Sequence, residues 1–184
     1  MNLLSQDIFS LSTIDFAKRI LGCSLIYENK EISLGGIITE VEAYTEEDPA
    51  CHAYLGKKTK RNAPMFAKAG TIYMYMIYGM YYCLNIVTEE EGRGCAVLIR
   101  SIDPKYNIEI MQENRKLSSS KNISNGPGKL VQALSIPMSL NGQMFNESSL
   151  KILDAGGDVK EIESSSRIGI AKGKELPWRF VCRL

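Results

Sequence analysis

A single histidine, His52, stands among 184 residues, which excludes any metal site built from several imidazoles. Five cysteines, at 23, 51, 83, 95 and 182, are odd in number and contain no C-x-x-C pair. That pattern argues against a zinc ribbon, an iron–sulfur cluster or a disulfide scaffold, and for free thiols in a reducing cytosol. No run approaches the roughly 20 apolar residues that a membrane helix needs, and the first residues lack a signal-peptide pattern. Excess charge is also missing. A net charge of +1 gives no global pull toward nucleic acid. The remainder, 45% hydrophobic and 23% charged, is ordinary for a folded protein. Without internal repeats or a long linker, the chain is expected to form a single domain spanning residues 1–184.

Tyrosine, by contrast, is concentrated: five of the nine fall between Tyr73 and Tyr82. Thr71 to Ile77 is β-branched, Met and aromatic throughout, and Tyr81 to Val87 resumes that composition after Gly79. The pattern predicts a hairpin with Tyr78-Gly79-Met80 at its tip, where glycine accepts a positive φ. Tyr73 and Tyr75 then share a face, while Tyr78 is freed from the alternation. Packing alone would account for a core hairpin rich in Tyr, but not for Tyr and Met at an apex that meets water. An apical aromatic beside others on a strand suits a stacking platform or a wedge between bases. The basic run Lys57-Lys58-Thr59-Lys60-Arg61 is either a solvated loop or a set of phosphate contacts.

Upstream, Ser12 to Asp15 reads as a capping box, with Phe16, Ala17, Ile20 and Leu21 at helical spacing and Gly22 as the stop. Cys23 to Tyr27 is a short strand, turned at Glu28-Asn29-Lys30. Ile37 to Tyr44 alternates as a strand, which places Ile38, Glu40, Glu42 and Tyr44 on one face. Its carboxylates are either incidental charges on an edge strand or include a general base beside a pocket. Asp48-Pro49 predicts a short helix over 50–55 that carries His52 and closes at Gly56.

Downstream, Cys95 to Ile102 is an apolar strand ending before Asp103-Pro104, and its Arg100 calls for a carboxylate partner. A helix is expected over 106–117, then a mobile polar loop from Ser118 to Asn125. Gly126-Pro-Gly-Lys129 opens a helix to about Leu134 whose N–H groups could hold a phosphate, although no P-loop pattern is present. Short strands over 150–153 and 159–163, joined through residues 154–158, follow, and Arg167–Ile170 and Pro177–Phe180 finish the sheet.

Taken in order, Glu40-Val-Glu-Ala-Tyr44, Asp48-Pro-Ala-Cys-His52, Arg61-Asn62 with Met65-Phe66 and Tyr73 to Met80 form a set. It continues with Cys83-Leu-Asn85, Ala96 to Arg100, Gly126 to Leu130, Arg167-Ile-Gly169 and Pro177 to Phe180. This set resembles the alkyladenine (3-methyladenine) DNA glycosylase family. The resemblance implies an α+β fold: one mixed domain around a curved antiparallel sheet, flanked by short helices, with a protruding hairpin. It implies that Glu42 activates the attacking water and that Arg100 is its partner. It further implies that Tyr44, His52 and Tyr75 sandwich a flipped base, that Tyr78 with Met80 fills the gap in the duplex, and that Asn85 rejects guanine. Cys51 stands where many relatives have Ser. Lys57, Lys58, Lys60, Arg61 and Lys129 are candidate contacts to the DNA backbone. The implied substrate is double-stranded DNA containing damaged purines, bound by a cytoplasmic monomer without metal, cofactor or membrane.

Physical chemistry agrees with that transfer. A base must leave the stack before chemistry, at a cost of a few kcal/mol that is lowest for damaged bases. An N-alkylated purine is cationic, so aromatic walls attract it and it departs readily. No lysine stands out as a Schiff-base nucleophile, so strand cleavage by lyase chemistry is not expected. Two other readings fit the same residues. One is a non-catalytic nucleic-acid-binding module that stacks bases on its tyrosines. The other is a hydrolase of free nucleosides or small glycosides, which would have no use for Tyr78 at an exposed tip.

Overall fold

The computed structural model of the protein describes residues 2–29, 32–154 and 159–184. Among them nine strands form one antiparallel sheet, with three α-helices. The strands are β1 (Asn2–Leu3), β2 (Ser24–Asn29), β3 (Ile32–Tyr44), β4 (Ile72–Ile77) and β5 (Tyr81–Val87). They continue with β6 (Ala96–Tyr106), β7 (Leu150–Asp154), β8 (Glu161–Ser165) and β9 (Arg179–Arg183). The helices are α1 (Thr13–Arg19), α2 (Ile108–Arg115) and α3 (Pro127–Leu134). The sheet is open, in the order β1-β7-β2-β3-β6-β5-β4. β3 is long enough to take two partners along one edge: β2 pairs with Ile32 to Ile37, and β9 with Glu40 to Glu42. None of the described helices is long and apolar enough to cross a membrane.

Alternation along the strands separates two apolar clusters. Ile72, Met74, Leu84, Ile86, Val97 and Ile99 point into the larger one, with Phe16 and Ile20 near α1 and Leu130 and Leu134 of α3. Tyr73, Val87 and Ala96 point the other way, into a smaller cluster with Cys51, Ala53, Met65 and Phe66. The long loop between β3 and β4 therefore covers part of the second face. Local chemistry fixes the edges of these elements. The Ser12 hydroxyl caps α1 by accepting from the Asp15 N–H at 3.2 Å, and Gly22 turns the chain with φ +82°. Gly36 is needed for another reason: a Cβ there would lie 2.1 Å from the Asp103 carbonyl oxygen of the neighbouring strand.

The hairpin β4–β5 and helices α1, α2 and α3 lie where the sequence predicts them. Several other expectations need correction. Ile38 does not share a face with Glu40, Glu42 and Tyr44; it is fully buried in the main core with Val41 and Ala43. The cause is a register irregularity, since β3 and β6 shift between Ile38 and Glu40 and again before Val41. Such a bulge reverses the parity of both strands and re-aims the side chains beyond it. β6 does not stop before Asp103-Pro104. It runs to Tyr106, with Pro104 opposite Gly36 at a further register shift.

Residues 50–55 form turns rather than a helix, and only Tyr54–Gly56 make a 3-10 turn, with Leu55 at φ +55°. The Asp48 carboxylate accepts from the Ala50 N–H at 2.9 Å, an Asx turn in place of a helix cap. The loop 118–125 is not wholly polar surface, because Ile123 and Ser124 are buried. β7 and β8 are not a hairpin: β7 pairs with β1 and β2, β8 with β9. Arg167 to Ile170 is a loop, not a strand. The turn expected through Lys30 and the connection at 155–158 lie outside the described residues.

Candidate active site

Four adjacent strands present alternate residues to one cleft of about 830 Å³. Glu42 and Tyr44 come from β3, Leu98 and Arg100 from β6, Cys83 and Asn85 from β5, and Tyr73 and Tyr75 from β4. Register makes a row of them: Glu42 pairs with Leu98, Leu98 with Asn85, and Asn85 with Tyr73. At about 4.8 Å per strand, the Glu42 and Asn85 backbones stand roughly 10 Å apart, with Leu98 between. The volume lies within the ordinary range for a small-molecule site.

Glu42 has no exposed surface, yet both of its oxygens are engaged. Oε2 accepts from the Tyr44 hydroxyl at 2.7 Å, and Oε1 from the backbone N–H of Ile168 at 2.8 Å. Arg100 Nη1 stands 3.3 Å from Oε1, while its Nε donates to Glu40 at 2.8 Å. Glu40 is shared: Arg179 Nε donates to the same oxygen at 2.6 Å. A buried carboxylate is tolerated when donors and opposite charge surround it in this way. Burial, and then the neighbouring Glu42, hold the Tyr44 phenol far above its ordinary pKa, so it stays protonated and donates.

The aromatic part of the site lines the same cleft. His52 lies edge-on to Tyr75, with ring centroids 4.6 Å apart, and its Nδ1 is 2.8 Å from the Tyr73 hydroxyl. Tyr73 and Tyr75 are 5.4 Å apart. Burial raises the pKa of both phenols, so the walls remain neutral. His52 is exposed as a whole residue, yet the protein packed against one side of its ring, and secondarily the Arg61 charge, lower its pKa. Burial pushes the Cys83 thiol to about 11, which keeps it an uncharged part of the lining. Asn85 is almost fully buried, and its Nδ2 donates to the Tyr73 carbonyl at 3.0 Å, which locks the amide in place.

The hairpin projects beside the cleft. Tyr78 is 87% exposed with φ +50°, and Met80 is 66% exposed. Tyr78, Arg61 and Lys129 line the cleft, whereas Met80, Lys57, Lys58 and Lys60 are exposed outside its lining. The Arg61 guanidinium lies 5.3 Å from the Tyr75 ring centroid and donates to the Met76 carbonyl. Lys58 lies over Phe66 at 5.3 Å, and Lys129 donates to Asn125 at 2.8 Å. Glu42, Arg100, Tyr44, His52, Tyr75, Asn85 and Tyr78 therefore line one cleft, whereas Met80 does not. Of the basic run, only Arg61 lines the cleft.

Residues 7–183 match the family model described as methylpurine-DNA glycosylase (MPG). The chain belongs to the methylpurine-DNA glycosylase family. A protein of Francisella tularensis subsp. tularensis (strain SCHU S4 / Schu 4), named "Putative 3-methyladenine DNA glycosylase", is 45% identical over 179 residues, covering 95% of this chain and 92% of its own. Proteins with the same name from Carboxydothermus hydrogenoformans and Methanoculleus marisnigri are 43% and 41% identical, covering 97% and 96% of this chain and 94% and 93% of theirs. Family membership supports a DNA glycosylase role, with DNA as the substrate.

The site also holds members that the sequence did not announce. Ile168 contributes a backbone N–H and Leu98 an apolar floor, neither of which has a side-chain signal. Arg179 of β9 reaches Glu40 on the paired strand β3, and Arg167 pairs with Asp48 119 residues away. The pairing of buried charges over such distances has no local pattern. Arg179 at least sits between two aromatics, Trp178 and Phe180, whereas Arg167 follows a run of serines and carries no such signal.

Proposed function

We propose that the protein is a monofunctional DNA glycosylase of base excision repair, which flips damaged purines out of duplex DNA and hydrolyses their N-glycosidic bond. The observation that carries this reading is the fully buried Glu42, ringed by Tyr44, Arg100 and the Ile168 N–H, at the end of a tyrosine-lined cleft beside the exposed Tyr78. A module that merely stacked bases would not need a buried carboxylate with three oriented partners. Tyr78 enters the gap as the purine leaves, and the base slides between Tyr44, His52 and Tyr75. Neutral phenols attract a cationic N-alkylated purine without competing for protons. As the glycosidic bond lengthens, its electrons pass to the purine and the sugar acquires oxocarbenium character. Glu42 stabilises that charge and accepts the proton of the water whose oxygen bonds to the anomeric carbon. The products are the free purine and an abasic site.

Asn85 supplies selection. Its amide is held by the Tyr73 carbonyl, so it cannot swing aside for the exocyclic amino group of guanine. Lys129 and Lys172 of the cleft are exposed, whereas a Schiff-base lysine is activated by desolvation, so a lyase step is not assigned. Lys57, Lys58, Lys60, Arg61 and Lys129 contact phosphates, which makes binding weaken with salt. The protein acts as a single-domain monomer. The test is release of free base from duplexes that each carry one defined purine lesion, hypoxanthine and ethenoadenine among them. Release with an intact sugar–phosphate strand is expected. Binding of every duplex without release from any would leave only the stacking module.

A further inference from the structure

Behind the cleft lies a second charge cluster with no direct part in that chemistry. The Arg167 side chain is wholly buried and makes a two-pronged pair with Asp48, Nη1 to Oδ2 and Nη2 to Oδ1, the latter at 2.9 Å. Nη1 also donates to the Ala43 carbonyl at 2.8 Å, and Nη2 to the Gly173 carbonyl at 3.1 Å. One guanidinium thus ties the end of β3, the loop carrying His52 and the loop 167–173 together. Its carbon also lies 4.6 Å from the Tyr44 ring centroid and 5.4 Å from that of Trp178.

The next residue along the chain is Ile168, whose N–H rests on Glu42 Oε1. A donor one residue from a rigid anchor is fixed in position, because the backbone between them has few soft torsions. The packing leaves no slack on the far side either. Gly173 has φ +66°, and a Cβ there would lie 2.6 Å from Asp48 Oδ1 and 2.9 Å from Arg167 Nη2. The pair and the glycine are mutually fitted. A planar, forked cation suits the place where lysine would engage one carboxylate oxygen at a time.

We infer that Arg167, locked by Asp48, is a positioning residue for the glycosidic hydrolysis: it sets the Ile168 N–H on Glu42 and backs Tyr44. The inference rests on the role of Glu42 proposed above. Of the charged groups paired here, only Glu42 and Arg100 line the cleft, and the Arg167–Asp48 pair stands outside that lining. Arg167 touches neither base nor water. It acts through the loop.

The test compares Arg167→Lys and Gly173→Ala with the unchanged protein on the damaged duplex that the latter processes fastest. Gly173→Ala alters no charge but pushes on the pair. In both variants the single-turnover rate at saturating protein should fall about ten- to hundredfold, the scale of a small misplacement of a reacting group, while duplex affinity stays nearly constant. Exchange of the Ile168 amide hydrogen should accelerate in the folded variants. If Arg167→Lys does not fold, the double variant Asp48→Asn, Arg167→Gln, which strands no buried charge, takes its place. A pair that only stabilises the fold would lower the melting temperature and leave the rate of folded protein and the Ile168 exchange unchanged, and that result overturns the inference. So does a loss confined to affinity. Absence of base release by the unchanged protein would instead remove the hydrolase reading itself.

Discussion

Replacement of Arg100 by alanine separates chemistry from binding, and its cost can be worked from the contacts. Removing one partner of a buried ion pair destabilises by about 3–5 kcal/mol, because the other charge is stranded. Here the loss is cushioned. Glu40 keeps Arg179 at 2.6 Å, and Glu42 keeps Tyr44 at 2.7 Å and the Ile168 N–H at 2.8 Å. The low end, about 3 kcal/mol, is therefore expected, which in a chain of this length lowers Tm by roughly 6–12 °C. Arg100 is not among the residues proposed to touch the duplex, so affinity for damaged DNA should hold. With Glu42 no longer steered, the single-turnover rate should drop by about a hundredfold. Arg100→Lys, which keeps the charge but cannot fork between Glu40 and Glu42, should fall between. Thermal melts, filter binding and single-turnover base release on the same preparations give the three numbers. Equal losses of affinity and rate in Arg100→Ala would show a structural arginine and refute the reasoning.

Tyr78→Ser should change stability by no more than about 0.5 kcal/mol, since the residue is exposed, while release from duplex DNA falls far more than release from a single strand; parallel rates on both substrates would deny it a wedge role. Asn85→Ser should relax the rejection of guanine, seen as increased release of undamaged guanine in a long incubation, and unaltered selectivity would take Asn85 out of the pocket. His52 has a folded pKa below the ordinary value of 6.5, so below that value the unfolded chain takes up a proton that the folded chain resists. Its contribution is complete above pH 6.5 and is lost as pH falls toward the folded value. Tm should therefore decline on going from about pH 7.5 to pH 5.5, and less steeply in His52→Gln; identical slopes would show that His52 is not held neutral.

The sequence and the structure agree most closely where a signal was local. The capping hydroxyl of Ser12, the positive φ of Gly22 and Gly79, and the two-residue period of β4 and β5 each depend on near neighbours. The need of Arg100 for a carboxylate was legible because an arginine within an apolar strand demands a partner, and it has two, Glu40 and Glu42. Disagreements arose where long-range pairing wins. The bulge between Ile38 and Val41 reverses the facing of Ile38, and nothing in Ile37 to Tyr44 marks it. Asp48-Pro49 has the composition of a helix start, but the Asp48 side chain is claimed by Arg167 from the other end of the chain. Pro104 would end most central strands; here Gly36 opposite it lets the backbones approach and β6 continues. The row Glu42–Leu98–Asn85–Tyr73 exists only through the register of four strands, which no segment encodes alone.

The most direct test is Glu42→Gln, nearly isosteric and able to keep its place beside Tyr44, Arg100 and Ile168. Mixed with a duplex carrying one damaged purine, this variant should bind as tightly as the unchanged protein and release no base over a time in which the latter completes its turnover. Base release by Glu42→Gln at an undiminished rate would contradict the account.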